Sequence, residues 1–327
     1  MSDIIFDFPS LDKKDREILF ELDRDARQSN SGIAEKTGLD KNVVNYRINK
    51  LVEGNVIEGF YTVINSAKLG YQSYRVYLKL HFISHAKEKE IKSYIIKSPL
   101  TWWVGESDGE FDIAFLVWVR NITELREFWR GFTGKYQKHI QKNSISVYTK
   151  IHDFSYAFFF PEKVLERTVQ EVEASETVEI SEIEKKVLRI ISGNARMPTV
   201  EIAKNLGITA MQVKYAIKQL KEKGIILGYR TKMNLKALGL TNYKAYFQLK
   251  DLDQYDEMAA FVRSKPNVIY IDESIGFADF EVEVLVQKHS EFSLFVDEFK
   301  DRFSEKIKDY NYFIYTDISK INYSPLQ

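Results

Sequence analysis

The chain repeats itself, and the repeat constrains its fold more than any other feature. At an offset of 169 positions, about seventy residues register without a gap. Ala26-Arg27 falls on Ala195-Arg196, Ile33-Ala34 on Ile202-Ala203, and Gly38 on Gly207. Val44, Tyr46, Ile48 and Leu51 fall on Val213, Tyr215, Ile217 and Leu220. Gly59, Asn65 and Leu69-Gly70 fall on Gly228, Asn234 and Leu238-Gly239, and Tyr74, Tyr77 and Leu80 on Tyr243, Tyr246 and Leu249. Core-type and glycine positions agree together, which chance alignment does not produce. Solenoid units span ~20–50 residues, so this period is too long for one. It has the length of a domain pair, as in an ancestral protein duplicated and fused. Such a chain can do alone what one copy does by pairing with itself.

With 327 residues, length agrees with two copies of two small domains. High Phe and Tyr with few Gly and Pro argue for packed cores and against disorder. There is no cysteine, which excludes disulfides, thiolate metal sites and a cysteine nucleophile. Met1 to Ser10 is short and acidic, unlike a signal peptide. No uncharged apolar run approaches the ~20 residues of a membrane helix, and Tyr156–Phe160 is far shorter. The expectation is a soluble cytoplasmic protein with no membrane contact. Net charge is zero, but unevenly placed. Ile180 to Thr231 holds ten Lys/Arg against four Asp/Glu, whereas Leu11 to Thr62 holds nine against ten. That asymmetry suits a nucleic-acid face on the second stretch, or a solvated helical surface.

Each copy reads as three short helices, an extended strand and an α/β segment. Ile18, Leu19 and Leu22 have helical spacing over Asp12 to Arg24. A second helix spans Gly32 to Thr37, and Asp40 N-caps a third that buries Val44, Ile48 and Leu51. Asn55, matched by Gly224, suits a left-handed helix stop, and Phe60 to Ile64 reads as a wing strand. In copy two, Thr209 to Gln212 has the capping-box pattern. Short helix, tight turn and polar-faced helix is the helix-turn-helix plan.

The remainder of copy one alternates as strand, helix, two strands, helix, strand: Tyr74–Phe82, Lys87–Lys97, Thr101–Ser107, Phe111–Val119, Thr123–Tyr136 and Ile145–Ile151. That is the ferredoxin-like βαββαβ order. Copy two repeats it over Tyr243–Lys250, Tyr255–Ser264, Val268–Ser274, Asp279–Val286, Glu291–Phe303 and Tyr312–Ile321, now at an offset of 167. The predicted fold is therefore α+β, with two repeats of a winged helix-turn-helix and a ferredoxin-like domain. The segments are a tail at 1–10, heads at 11–64 and 180–233, regulatory-type domains at 65–155 and 234–327, and a partly helical connector at 156–179.

This arrangement resembles the Lrp/AsnC, or feast/famine, family of transcription regulators, across nearly all of both copies. Leu11-Asp12, Asp15, Ile18-Leu19, Leu22 and Asp25-Ala26-Arg27 look like that family's opening signature. Ile33-Ala34, Gly38, Arg47-Ile48, Leu51, Glu53 and Val56-Ile57 continue it, and Gly109-Glu110-Phe111-Asp112 resembles its Gly-x-aromatic-Asp turn. The copies depart from it differently. Ala216 stands where the family has the recognition-helix arginine, Asn55 where it has Gly, and Ala278 where the turn has its aromatic. The resemblance implies double-stranded DNA as partner and a small effector, often an amino acid, at paired regulatory domains. It places Gly109, Asp112, Gly276 and Asp279 near that effector; Gly beside Asp is also what a β-turn needs. It places Lys41, Asn42, Asn45, Tyr46, Arg47 and Lys50 of copy one, with Gln212, Lys214, Tyr215, Lys218 and Lys221 of copy two, on DNA. Amides and Arg suit base edges and the lysines suit phosphates. The regulatory domains are expected to pair within the chain as a pseudo-dimer, or across chains in a homodimer.

No Gly-rich phosphate loop, zinc pattern or Ser/His/Asp signature is present, so no catalytic residue, metal or cofactor is assigned. One enzyme family, the siroheme decarboxylases, resembles such regulators and acts on a tetrapyrrole between regulatory-type domains. That chemistry needs His and Arg in one cavity, and Tyr74, Arg75, His81 and His152 are the candidates. A third reading is an architectural DNA-binding protein without an effector. Trp102, Trp103, Trp118, Trp129 and Phe158–Phe160 suit either a core or an oligomer interface.

Overall fold

The computed structural model describes residues 6–173 and 175–326, so residues 1–5 of the expected tail and Ala174 of the expected connector lie outside it. The first head comprises α1 (Lys13–Arg24), α2 (Asn30–Thr37) and α3 (Lys41–Glu53). Asp12, Ser29 and Asp40 cap them, their side chains accepting from backbone amides of the first turns. Asn55 holds a φ of 55° after α3, matching Gly224 at 66°. The second head repeats the plan with α6 (Glu182–Ser192), α7 (Thr199–Leu206) and α8 (Ala210–Glu222), and Thr209 and Gln212 form the capping box.

The strand after each head pairs with its counterpart. β1 (Ile57–Ile64) and β7 (Ile226–Met233) form a two-stranded antiparallel ribbon, with Tyr61 opposite Arg230. Two further contacts obey the same pseudo-two-fold. The Ala26 amide donates to the Tyr229 carbonyl, and the Ala195 amide to the Phe60 carbonyl, both at 2.9 Å. Arg27 donates to the Ala195 and Met197 carbonyls, and Arg196 to those of Ala26 and Gln28. The repeated Ala-Arg pair thus braces one head to the other.

The α/β segments supply the remaining strands. Copy one gives β2 (Gln72–Leu80), α4 (His85–Lys97), β3 (Thr101–Gly109), β4 (Ile113–Val119), α5 (Ile122–Tyr136) and β5 (Ile140–Phe154). A 3-10 turn at Pro161–Glu166 and β6 (Val169–Glu173) follow. Copy two gives β8 (Thr241–Leu249), α9 (Tyr255–Arg263), β9 (Val268–Ile275), β10 (Phe280–Val286), α10 (His289–Phe303) and β11 (Ile307–Ile321). Strand order runs β2-β4-β3-β11-β8-β10-β9-β5 and returns to β2, a closed antiparallel barrel with β6 laid on β5. Closure depends on the two long strands. The first half of β11 pairs with β8 and its second half with β3; β5 likewise pairs with β2 and then β9. Both strands outrun their expected ends at Ile151 and Tyr312: the extra residues of β5 pair across copies with β9, and those of β11 pair with β8 of their own copy.

Alternation sorts the side chains. Val76, Leu78, Val104, Phe115 and Val117 face outward against Ile91, Ile95, Leu125 and Phe132 of the helices, and copy two matches this. Tyr77, Phe111, Tyr246, Phe313 and Tyr315 face inward. Each head rests on the other copy. Ile18, Leu22, Val44 and Ile48 share a core with Leu238, Leu240, Ile269 and Leu285. Val187, Ile191 and Val213 share one with Ile64, Leu69 and Tyr71. Phe158–Phe160 pack into the first of these with Phe6, Phe8 and Phe20.

Candidate functional site

Three places carry the candidate chemistry: the exposed faces of α3 and α8, the two regulatory-type turns, and the barrel interior.

On α3, Val44, Ile48 and Leu51 are buried, which turns Lys41, Asn42, Asn45, Tyr46, Asn49 and Lys50 to solvent. Asn45 accepts a hydrogen bond from Asn30 at 3.0 Å. Arg47 is engaged within the head. Its guanidinium donates to Asp12 at 2.8 Å and Asp15 at 2.7 Å, so it ties α3 to α1 instead of reaching outward. Burial opposes the charge on Asp12, but the Asp15 amide and Arg47 outweigh it and hold that carboxyl below its usual range. Copy two makes the brace with other residues: Lys223 pairs with Glu184 at 2.8 Å, and Ala216 is buried. Loss of the arginine at Ala216 therefore relocates a brace and removes no outward-facing side chain.

On α8, Met211, Gln212, Lys214, Tyr215, Lys218 and Lys221 are exposed. The Gln212 carbonyl oxygen accepts from the Thr209 amide at 2.9 Å, so one end of this candidate base reader serves the helix cap. Lys218 lies 3.6 Å from Glu222, a loose i,i+4 pair, and Lys221 sits 4.7 Å over the Tyr229 ring. The face presents three ammonium groups and one exposed tyrosine, which suits a phosphate backbone.

The turns have diverged. In copy one, Asp112 accepts from the Lys79 ammonium and the Leu80 amide, both at 2.7 Å, and Lys79 also donates to the Gly109 carbonyl. Gln248 stands at the position of Lys79 in copy two. Asp279 accepts from the Leu249 amide at 2.8 Å and has no cation partner among the described residues. Asp279 and Gly276 border a cavity of about 660 Å³ with Gln248, Tyr255, Glu273 and Phe277. The aromatic missing at Ala278 is replaced from the neighbouring position. Phe277 enters the barrel end against Tyr77 and Tyr246, with ring centroids 4.8 and 4.6 Å apart.

Behind those rings lies an ion cluster that sequence reasoning missed. Arg75 and Lys244 occupy matching positions on β2 and β8, facing Asp272, Glu281 and Glu283 of copy two alone. Arg75 lies 3.0 Å from Asp272 and 3.3 Å from Glu281, and Lys244 contacts both. Glu283 is more distant, at 3.7 Å from Lys244 and 4.0 Å from Arg75. Burial opposes ionisation of Asp272, yet Lys244 and Arg75 outweigh it and hold it below its usual range. Glu283 goes the other way, because burial raises it and its distant cations do not offset that. The signal available in sequence was four charged residues, Lys244, Asp272, Glu281 and Glu283, at interior positions of strands rich in apolar residues.

Above this cluster, towards the heads, opens a second cavity of about 660 Å³ between the barrel end and the β1–β7 ribbon. Arg75 lines it, but the other decarboxylase candidates are dispersed. Tyr74 packs on the outer face of the barrel, and His81 is exposed beyond β2. His152 is buried between Glu171 and Glu273, at 2.8 Å from each, with Arg263 at 3.0 Å. Among the described residues, no His/Cys/Asp/Glu group suits a metal ion, and no helix is long and apolar enough to cross a membrane.

Comparison with known proteins agrees with the duplication. A family profile described as winged helix-turn-helix DNA-binding matches residues 11–58 and again 180–226. An uncharacterized HTH-type transcriptional regulator of Pyrococcus horikoshii is 31% identical over 154 residues, covering 46% of this chain and 93% of the relative. The HTH-type transcriptional regulator LrpA of the same organism is 50% identical over 60 residues, 18% of this chain and 43% of the relative. The crystal structure of the siroheme decarboxylase NirDL is similar over 94% of this chain and 93% of that one, with a TM-score of 0.65 at 16% identity. That likeness is one of fold.

Proposed function

The chain belongs to the Lrp/AsnC-type helix-turn-helix regulator family, and on that premise we propose that it is a DNA-binding transcription regulator acting as a fused pseudo-dimer. The exposed basic face of α8 carries this reading: Lys214, Lys218 and Lys221 stand in solvent beside Tyr215. The β1–β7 ribbon holds α3 in fixed relation to α8, as in a dimer built for two half-sites. The second head grips phosphate, and the first offers Asn42, Asn45, Asn49 and Lys50 to base edges. Asp279 receives the ammonium group of a small effector such as an amino acid, since the place of Lys79 is taken there by uncharged Gln248. Asp112 has its own lysine.

Selection of bound duplexes from a random pool, followed by titration across salt, tests this. The protein is expected to enrich one sequence class, with affinity falling steeply as salt rises. Lys214→Glu with Lys218→Glu is expected to weaken binding at low salt by about a hundred-fold, given the summed loss of phosphate contacts. Lys163→Glu in the connector is expected to change it little. Equal effects would remove α8 from the interface.

The doubled architecture shared with NirDL favours a second reading, a decarboxylase acting on siroheme. Addition of siroheme with absorbance and CO2 readouts separates the two. A regulator leaves both unchanged.

A further inference from the structure

We propose that the cavity between the barrel end and the β1–β7 ribbon is a binding site for a flat organic cation, an aromatic amine or its quaternary equivalent. The site is distinct from the two turns, and binding there does not depend on whether the heads engage DNA. At about 660 Å³ the cavity falls within the usual range for small-molecule sites.

Its walls are aromatic. Trp102 and Trp118 stack with centroids 4.6 Å apart and planes 11° apart, and Tyr61 and Tyr323 stack at 4.5 Å and 20°. Trp103 and Tyr315 close the barrel side. Such faces attract cations, most strongly where water is excluded.

The floor is short of positive charge. Glu283 lines the cavity and lies at 3.7 and 4.0 Å from the cations that Asp272 and Glu281 hold closely, and burial raises its pKa. A cation seated above it would complete the pairing. The cations already on the wall are engaged, Arg75 with Asp272 at 3.0 Å and Lys232 with Glu58 at 2.8 Å. Lys236 stands exposed at the rim, as does Asp317. A polycarboxylate such as a uroporphyrin would meet the acidic floor instead.

The test uses pyronin Y, a cationic xanthene, with fluorescein as an anion on the same ring framework. Three of the four tryptophans line the cavity, so binding is read by tryptophan quenching as well as by dye anisotropy. Pyronin Y is expected to bind at least about ten-fold more tightly than fluorescein, and Glu283→Gln to weaken it by about ten-fold, the value of one charge-assisted contact. Iron-uroporphyrin III is expected not to compete. No pyronin binding, equal binding of fluorescein, tighter binding of the porphyrin, or an unchanged Glu283→Gln affinity would each overturn the proposal. Should Glu283→Gln fail to fold, the comparison of the two dyes on the wild-type protein decides.

Discussion

Gly276 and Gly109 occupy the same place in the two copies but are constrained by different neighbours. Gly276 has a φ of +124°, and a Cβ there would stand 2.7 Å from the Ile145 carbonyl oxygen. Gly109 has a φ of +121°, and its nearest neighbour would be the Phe313 Cβ at 3.2 Å. Both conformations disfavour a side chain, and neither neighbour can rotate away, since a Cβ is fixed to its backbone, but the first contact is closer by half an ångström and forces a shift. Gly276→Ala is expected to lower unfolding free energy by about 2–4 kcal/mol, and Gly109→Ala by about 1–2 kcal/mol. Urea midpoints measure the difference, and equal costs would mean that the β5–β9 seam yields as readily as the β3–β11 seam. The Gly-Asp turns were legible in sequence because their requirement is local. The tie of Arg47 to Asp12 and Asp15 was not, since it spans 35 and 32 positions and depends on how α1 crosses α3. The Phe277 substitution for the aromatic lost at Ala278 was hidden for a similar reason: it needs the barrel's closure to bring Tyr77 alongside.

Among the elements, the capped helices were readable to within a turn, because Asp12, Asp40 and Thr209 act on residues two or three positions away. The cross-copy pairing of β5 and β11, and all of β6, were not readable, because the partners are distant in sequence. One junction joins three such elements. Arg230 of β7 is almost fully buried and donates to Asp23 of α1 through Nε at 2.9 Å and Nη2 at 2.8 Å, and also contacts Asp153 of β5. Copy two has Ser192 and Lys320 at the positions of Asp23 and Asp153, so the junction exists on one side only. Burial pushes Asp153 up to about 6, against the pull of Arg230. A carboxyl raised above its unfolded value binds its proton more tightly when folded. Its stabilising contribution is therefore complete below pH about 4 and is lost as pH rises through about 6. Relative to Asp153→Asn, the wild-type protein is expected to lose about 3 kcal/mol of stability between pH 4 and pH 7. Paired urea titrations across that range check it. A difference constant with pH would place the Asp153 titration outside the window.

For the whole molecule, duplication has turned a dimer interface into a chain's interior. Three ladders cross between the copies, β1 with β7, β3 with β11 and β5 with β9, and the Arg27 and Arg196 braces add to them. Each head also shares its core with the opposite copy. The covalent link through 175–179 is exposed over Ser175 to Thr177 and contributes little by comparison. Cut there, neither half could close the barrel alone; each would expose two strand edges and the ion cluster would be divided, with Arg75 on one side and Asp272 on the other. A protease site introduced at Ser175–Thr177 is therefore expected to yield two fragments that co-elute as one particle under native conditions. The cut should show itself only in the energetics. Unfolding of the intact chain is independent of protein concentration, whereas unfolding of the cut protein separates two molecules, so its urea midpoint should rise with concentration. Fragments that separate on native gel filtration would show that the seams are weaker than the linker. A midpoint that stays independent of concentration after complete cleavage would show that one half unfolds without releasing the other.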